Sequence, residues 1–70
     1  MQKILITTEY IKLDSFLKLA GVSESGGQSK VFIKDNKVQV DGETCTMRGK
    51  KLYPGALVQV LGNIYEVVGS

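Results

Sequence analysis

The side chains whose type and spacing most suggest ligand binding are the cations in the middle of the chain, since ammonium and guanidinium groups bind phosphate oxygens. Residues 28–51 carry six Lys or Arg and three Asp or Glu, whereas residues 52–70 carry one charged residue, Glu66. The six cations are Lys30, Lys34, Lys37, Arg48, Lys50 and Lys51. If the loop that contains Arg48 folds beside the lysines, the combined patch matches the charge spacing of a nucleic-acid backbone.

Two other interpretations of these cations stay open. Lysines normally occupy the solvated face of a helix, so Lys30, Lys34 and Lys37, at i, i+4 and i+7, need have no ligand at all. The same face could also meet an acidic protein, which would make the chain a protein-interaction adaptor. The glycine pair at 26–27 lacks the spacing of a phosphate-binding loop or a dinucleotide fold, so no small-molecule substrate is predicted.

The composition argues against catalysis. The 70 residues contain no His and a single Cys, Cys45, which leaves no disulfide, no zinc ligand set and no Cys-His or Ser-His catalytic pair. A ubiquitin-like sulfur carrier needs a C-terminal diglycine, whereas this chain ends VVGS. We therefore predict neither an enzyme nor a bound cofactor.

Length and hydropathy predict one cytoplasmic domain that spans residues 1–70. A chain of 70 residues is near the lower size limit for a stable core, so a second domain is not expected. The N-terminal sequence MQKILITTEY has too short an apolar stretch for a signal peptide, and no apolar run approaches the ~20 residues that span a bilayer. Small secreted folds usually carry several disulfides, which also favours the cytoplasm.

The elements that must position the cations begin with an amphipathic helix in KLDSFLKLAG, residues 12–21. Its apolar residues fall at i, i+3, i+4 and i+7, which is one helical face. They are Leu13, Phe16, Leu17 and Ala20. Asp14 lies in the first turn, where the helix dipole favours a carboxylate, and Gly21 can take the left-handed conformation that ends a helix.

The segment from Ser25 to Asn36 is predicted to be a second helix, although KVFIK alone has strand propensity. Ser29, Phe32 and Ile33 recur at i, i+3 and i+4, so a helix separates this stripe from the stripe of lysines. Ser25 can cap the N-terminus, and Asn36 tolerates the left-handed backbone that closes a helix.

The remaining segments have the pattern of short strands. KILIT at 3–7 begins a sheet, and KVQV and ETCT flank a hairpin turn at 41–42. The basic loop MRGKKLYPG then leads to ALVQVL and IYEVV, which flank a turn at 62–63. One strand, two helices and four short strands predict an α+β fold.

Three segments in this order resemble the S-four RNA-binding domain family, named for a ribosomal small-subunit protein. They are KLDSFLKLAG, SGGQSKVFIKDNKVQVDGE and RGKKLYPGALVQV, within residues 11–61, and small stand-alone bacterial members are the most similar. The resemblance implies two helices packed on a small, mostly antiparallel sheet, called the alpha-L motif. It also implies a partner, structured RNA that is ribosomal or tRNA-like, with the ribosome or an assembling ribosomal subunit as the expected setting. Some members are fused to pseudouridine synthase or tyrosyl-tRNA synthetase domains, and neither activity is expected of these 70 residues.

The resemblance also implies which residues contact RNA. Lys12 stands where the family commonly has arginine, and Gln28, Ser29 and Lys30 occupy its polar, often Ser-Arg, helix start. Together with the basic loop, the predicted RNA-binding residues are Lys12, Lys18, Gln28, Ser29, Lys30, Lys34, Lys37, Arg48, Lys50, Lys51 and Tyr53. Tyr53 could stack on a base or pack on Pro54. Lysine in place of arginine loses the planar fork that grips a phosphate through two bonds, which predicts salt-sensitive recognition of RNA shape.

Overall fold

Two helices and seven short strands form along the chain in a computed structural model that describes residues 1–70. The elements are β1 Gln2–Ile6, β2 Ile11–Lys12, α1 Leu13–Leu19, α2 Gly26–Lys34, β3 Val38–Val40, β4 Glu43–Thr44, β5 Lys51–Leu52, β6 Leu57–Val60 and β7 Asn63–Gly69. Neither helix is long and apolar enough to cross a membrane.

Five of the strands form one sheet in the order β1-β7-β6-β3-β4, and β2 and β5 form a separate two-stranded ribbon. Every pair in these sheets is antiparallel except β1 with β7, which is parallel. The prediction of an α+β fold with a mostly antiparallel sheet is therefore confirmed.

The core lies between the helices and one face of the five-stranded sheet. Alternation along the strands directs every second residue inward. The buried apolar residues are Ile6, Leu13, Phe16, Leu17, Ile33, Val38, Val40, Leu52, Val58, Val60, Tyr65 and Val67. Phe16 of α1 meets Tyr65 of β7 edge to face, with ring centroids 6.5 Å apart. Because Ile6 points inward, Lys3 and Leu5 of β1 lie on the opposite, uncovered face, and both are exposed.

The prediction that residues 25–36 form a helix rather than a strand is confirmed. The Ser25 side chain accepts a hydrogen bond from the backbone N–H of Gln28 at 3.2 Å, which caps α2. Asn36 has a φ of 60°, and Gly21 after α1 has a φ of 79°, so both helices are followed by the expected left-handed residue. Local capping chemistry thus sets the ends of both helices.

Three details of the strands differ from the sequence prediction. The second hairpin turns at Leu61 and Gly62, not one residue later, because Val60 pairs with Asn63 and both turn residues have positive φ. The strand predicted at 43–46 ends at Thr44. The basic loop contains β5, which pairs with β2. A two-residue strand is too short for hydrophobic periodicity to detect.

Gly69 is the glycine at which an added side chain would clash with a neighbouring residue. A Cβ at this position would lie 2.9 Å from Cγ of Pro54. We expect Gly69→Ala to lower the free energy of unfolding by about 1 to 3 kcal/mol, because β7 or the Pro54 turn must shift. Urea denaturation followed by circular dichroism measures this change. Gly49→Ala is the matched control, since nothing lies within 4 Å of its added Cβ; equal losses in both variants would contradict the proposed clash.

Candidate nucleic-acid interface

The basic loop, residues 47–51, is fastened to the start of α1 by backbone hydrogen bonds. Leu13 N–H donates to the Lys50 carbonyl at 2.9 Å, and Asp14 N–H donates to the Arg48 carbonyl at 3.1 Å. The first N–H groups of a helix have no partner inside the helix. Lys12, the N-cap residue, makes no side-chain capping bond, so the loop carbonyls satisfy these groups. The cap therefore holds the cationic loop against the N-terminal end of α1.

Lys12 and Lys51 are direct partners in the ribbon formed by β2 and β5. Opposite residues of an antiparallel pair project from the same face. Their neighbours Ile11 and Leu52 are half-buried and buried, respectively, so the two lysines project from the other face and both are exposed. Like charges placed opposite each other destabilise a strand pair. The ribbon thus places two positive charges side by side on its exposed face.

Ser29 connects α2 to α1. Its hydroxyl lies 3.1 Å from the Asp14 carbonyl oxygen and 3.3 Å from the Ser25 carbonyl oxygen, and it also contacts the Ser23 hydroxyl. Asp14 therefore joins three parts of the chain, because its N–H reaches the loop and its carbonyl reaches α2. This junction brings the first turn of α2 to the helix end that carries the basic loop.

The prediction that Ser29 contacts RNA is corrected by its burial. The residue is 0% exposed, so its hydroxyl is unavailable to a ligand. Its position at i, with Phe32 at i+3 and Ile33 at i+4, had already indicated the inward face of the helix. A buried hydroxyl must find hydrogen-bond partners within the protein. Ser29 is thus a structural residue that positions α2.

Gln28 has a local role that the sequence prediction missed. Its side-chain Oε1 accepts a hydrogen bond from the backbone N–H of Glu24 at 2.7 Å, while its own N–H donates to Ser25. Ser25 followed three residues later by Gln28 is the sequence signal of a capping box and could have been found from sequence. Here, however, Gln28 accepts from the N–H of Glu24, one residue before the N-cap, and not from that of Ser25. The amide NH₂ of Gln28 has no hydrogen-bond role in this cap, and the side chain is exposed.

The predicted cations divide into a central group and outlying residues. Lys12, Arg48, Lys50 and Lys51 surround the start of α1 and are all exposed. Lys30 directly follows the junction residue Ser29 and is half-buried. Lys34 follows Lys30 one turn later on the same face of α2. The two outlying lysines, at or beyond the far ends of the helices, are Lys18 and Lys37. The structure therefore brings the basic loop to α1 and to the first turn of α2, but not to Lys18.

Tyr10 is a residue of this surface that the sequence analysis did not select. Lys51 Nζ lies 4.9 Å from the centroid of the Tyr10 ring, within cation–π range. The Tyr53 ring is 5.9 Å from the Tyr10 ring, with the planes tilted by 47°. The proximity of Tyr10 to Lys51 and Tyr53 depends on the pairing of β2 with β5, which the sequence did not reveal. Tyr53 itself is 49% exposed.

Comparison with known proteins identifies the family. A family model described as the S4 domain matches residues 4–68. This chain belongs to the S4 domain family. The S4 match extends beyond the resemblance found at 11–61 and takes in most of β1 and β7.

Two S4 relatives and one solved structure are similar to the chain over most of its length. It is 48% identical over 59 residues to a Bacillus subtilis protein named as a probable ribosome maturation protein, RlbA, covering 84% of this chain and 83% of RlbA. It is 39% identical over 59 residues to YbcJ of Escherichia coli, named as a candidate RNA-binding protein, covering 84% of each chain. The solution structure of YbcJ, described as revealing an alpha-L motif involved in RNA binding, matches with a TM-score of 0.74 and 35% identity, covering 97% of this chain and 87% of YbcJ. The predicted family and the alpha-L fold are confirmed.

Proposed function

We propose that residues 1–70 act as a single S4 domain that binds structured RNA without catalysing a reaction. The observation that carries the proposal is the pair of backbone hydrogen bonds from Leu13 and Asp14 to the basic loop. These bonds gather Lys12, Arg48 and the loop lysines at one end of α1. The density of exposed positive charge there suits a polyanion better than a small neutral ligand.

The chemistry of the side chains favours recognition of RNA shape. Ammonium groups contact phosphates as point charges and carry no information about base sequence. An A-form helix presents a wide, shallow minor groove lined with 2′-hydroxyls, to which the free amide NH₂ of Gln28 can donate. Phosphate contacts from the lysines would set the position of the duplex, and Gln28 would distinguish RNA from DNA. Lys18 and Lys37, at the outer ends of this surface, would contact only a longer duplex.

We further propose that the RNA is ribosomal RNA, bound in the cytoplasm during assembly of a ribosomal subunit. The support is the similarity to RlbA, whose name assigns it to ribosome maturation, and to YbcJ, whose name assigns it to RNA binding. Crosslinking in cells followed by sequencing of the bound RNA tests this target. Pull-downs with and without nuclease test the alternative of an acidic protein partner, because only RNA-mediated recovery is lost on nuclease treatment.

The lysines of α2 provide a direct test of RNA binding. We expect the double substitution Lys30→Ala with Lys34→Ala to weaken binding to a structured RNA about tenfold, because two phosphate contacts are lost. Fluorescence titrations at several salt concentrations measure both affinity and its salt dependence. The wild-type log affinity should fall with log salt at roughly −0.9 per phosphate contacted, and the variant slope should be smaller by about two.

Lys3→Ala is the control for this experiment. Lys3 is an exposed lysine on the uncovered face of the sheet, so its removal lowers the net charge without touching the proposed surface. Its affinity should stay within about twofold of wild type. Because the control removes one charge and the double variant removes two, a loss of log affinity in Lys3→Ala that is half as large as in the double variant would mean that net charge, not this surface, attracts the RNA. Unchanged affinity in the double variant would remove α2 from the proposed interface.

A further inference from the structure

The rings of Tyr10 and Tyr53 lie beside the Lys12–Lys51 pair and offer a surface suited to a ligand other than a duplex backbone. Tyr53 is 49% exposed, lies in contact range of Tyr10 and directly follows β5. Its backbone is fixed by the turn in which Ala56 N–H donates to the Tyr53 carbonyl at 3.0 Å, and Gly55 N–H anchors that turn to Val67 at 2.8 Å. A large ring held on a rigid turn with half its surface open is a platform on which a flat ligand can stack.

A cleft of about 490 Å³ lies beside this ring. Lys50, Lys51, Tyr53 and Pro54 line it, together with the exposed Asp41. Its volume is within the range of about 300 to 1,000 Å³ that small ligands occupy in proteins. The lining combines an aromatic face with ammonium groups, which is the combination that a nucleotide requires for its base and its phosphate.

Positive charge also lies near the stacking position. Lys51 Nζ is 4.9 Å from the Tyr10 centroid, and Tyr10 is 5.9 Å from Tyr53, so the ammonium lies within about 11 Å of the Tyr53 ring. Lys12 pairs with Lys51 across the ribbon, and Lys50, which precedes Lys51, also lines the cleft. These ammonium groups are available to the phosphates that flank a base stacked on Tyr53.

We propose that Tyr53 and this cleft bind one unpaired nucleotide of the RNA, with its base stacked on Tyr53 and its flanking phosphates on Lys51 and its neighbours. The inference rests on the proposed function and deepens it. Bases inside a duplex are covered on both faces by their neighbours, so a base must be unpaired, in a bulge or in an overhang, to leave the stack and lie on the ring. The preferred ligand is therefore a duplex that ends in, or is interrupted by, an unpaired nucleotide.

The experiment compares two RNA hairpins that are closed by the same base-free linker, have the same blunt end and differ by one nucleotide in the stem. One stem is fully paired, and the other carries a single bulged aminopurine, a fluorescent base whose emission is quenched by stacking. We expect the wild-type protein to bind the second hairpin about five- to a hundredfold more tightly and to quench its fluorescence. Tyr53→Ala should lose the preference and the quenching, while Tyr53→Phe, which keeps the ring, should retain both.

The possible outcomes separate this inference from the proposed function. Equal binding of both hairpins by the wild-type protein, or an unchanged preference in Tyr53→Ala, would overturn the nucleotide site and leave duplex binding intact. A protein that binds neither hairpin would contradict the proposed function itself. The wild-type preference and quenching need no variant, so the test holds even if Tyr53→Ala alters the fold, which circular dichroism would reveal.

Discussion

Replacing Lys12 with glutamate is expected to stabilise the protein and to weaken its binding to RNA. Lys12→Glu turns a like-charge pair with Lys51 into an opposite-charge pair and places a carboxylate at the positive end of the α1 dipole. Together these changes should raise the free energy of unfolding by about 0.5 to 2 kcal/mol. RNA affinity should fall about tenfold or more, and the salt slope should fall by about two, because Lys51 is neutralised as well.

Because stability is expected to rise while RNA affinity falls, this prediction separates a loss of RNA contacts from simple unfolding. A variant that merely unfolds would lose both stability and affinity, so urea denaturation and RNA titration must be made on the same preparation. Lys3→Glu changes the net charge equally on the uncovered face of the sheet and should leave affinity nearly unchanged. Stability that falls in Lys12→Glu would refute the energetic cost of the lysine pair. Unaltered affinity would remove the ribbon from the interface.

Truncating Leu13 to alanine is expected to cost about 2 to 5 kcal/mol of stability. The side chain is 0% exposed in the core, at the point where the basic loop meets α1. A chain of 70 residues has a total stability of about 4 to 10 kcal/mol, so Leu13→Ala should remove a large share of it and lower the melting temperature by many degrees. Thermal denaturation measures this loss.

Leu19→Ala is the matched control, since it makes the same chemical change in the same helix at a residue that is 54% exposed. Its stability should stay within about 0.5 kcal/mol of wild type. RNA binding by Leu13→Ala should recover on cooling or at low denaturant, because the backbone N–H that holds Lys50 is still present. Equal losses in the two leucine variants would contradict the assigned core. Affinity that does not follow the folded fraction would mean that Leu13 acts on the interface directly.

The helices could be predicted from sequence because their determinants are local. The spacing of Phe32 and Ile33, a capping Ser25 and a left-handed Asn36 all act within a few residues of one another. Together they outweighed the strand propensity of KVFIK. The hairpin at Asp41 and Gly42 was equally accessible, because both residues adopt the positive φ that this turn requires.

The parts that sequence did not reveal depend on contacts between distant segments. The ribbon joins Ile11–Lys12 to Lys51–Leu52, and neither strand is long enough to show a pattern. The turn at Leu61 was misplaced by one residue, since an aliphatic residue rarely adopts a positive φ and the following Gly-Asn pair was the stronger signal.

Two properties of the interface also required three-dimensional information. The resemblance to the family's Ser-Arg pattern suggested a role in RNA binding for Ser29, whereas packing against α1 buries it. The proximity of Tyr10 to Lys51 could not be inferred before the ribbon was known. The positions of the cations along the chain could therefore be read from the sequence, but which of them lie close together in the fold could not.

The parallel pairing of β1 with β7 makes the two extremes of the described chain depend on each other. β1 has no neighbour in the sheet other than β7, which is inserted between β1 and β6. Residues 2–6 can therefore form no strand hydrogen bonds until residues 63–69 are in place. Bringing these two segments together closes a loop that contains the rest of the chain, which carries an entropic penalty. Deletion of β7 would leave β1 without a partner strand and would expose the edge of β6. It would also remove the carbonyl of Val67 that anchors the Pro54 turn. A tag or fusion at either end is thus a perturbation of the same structural unit.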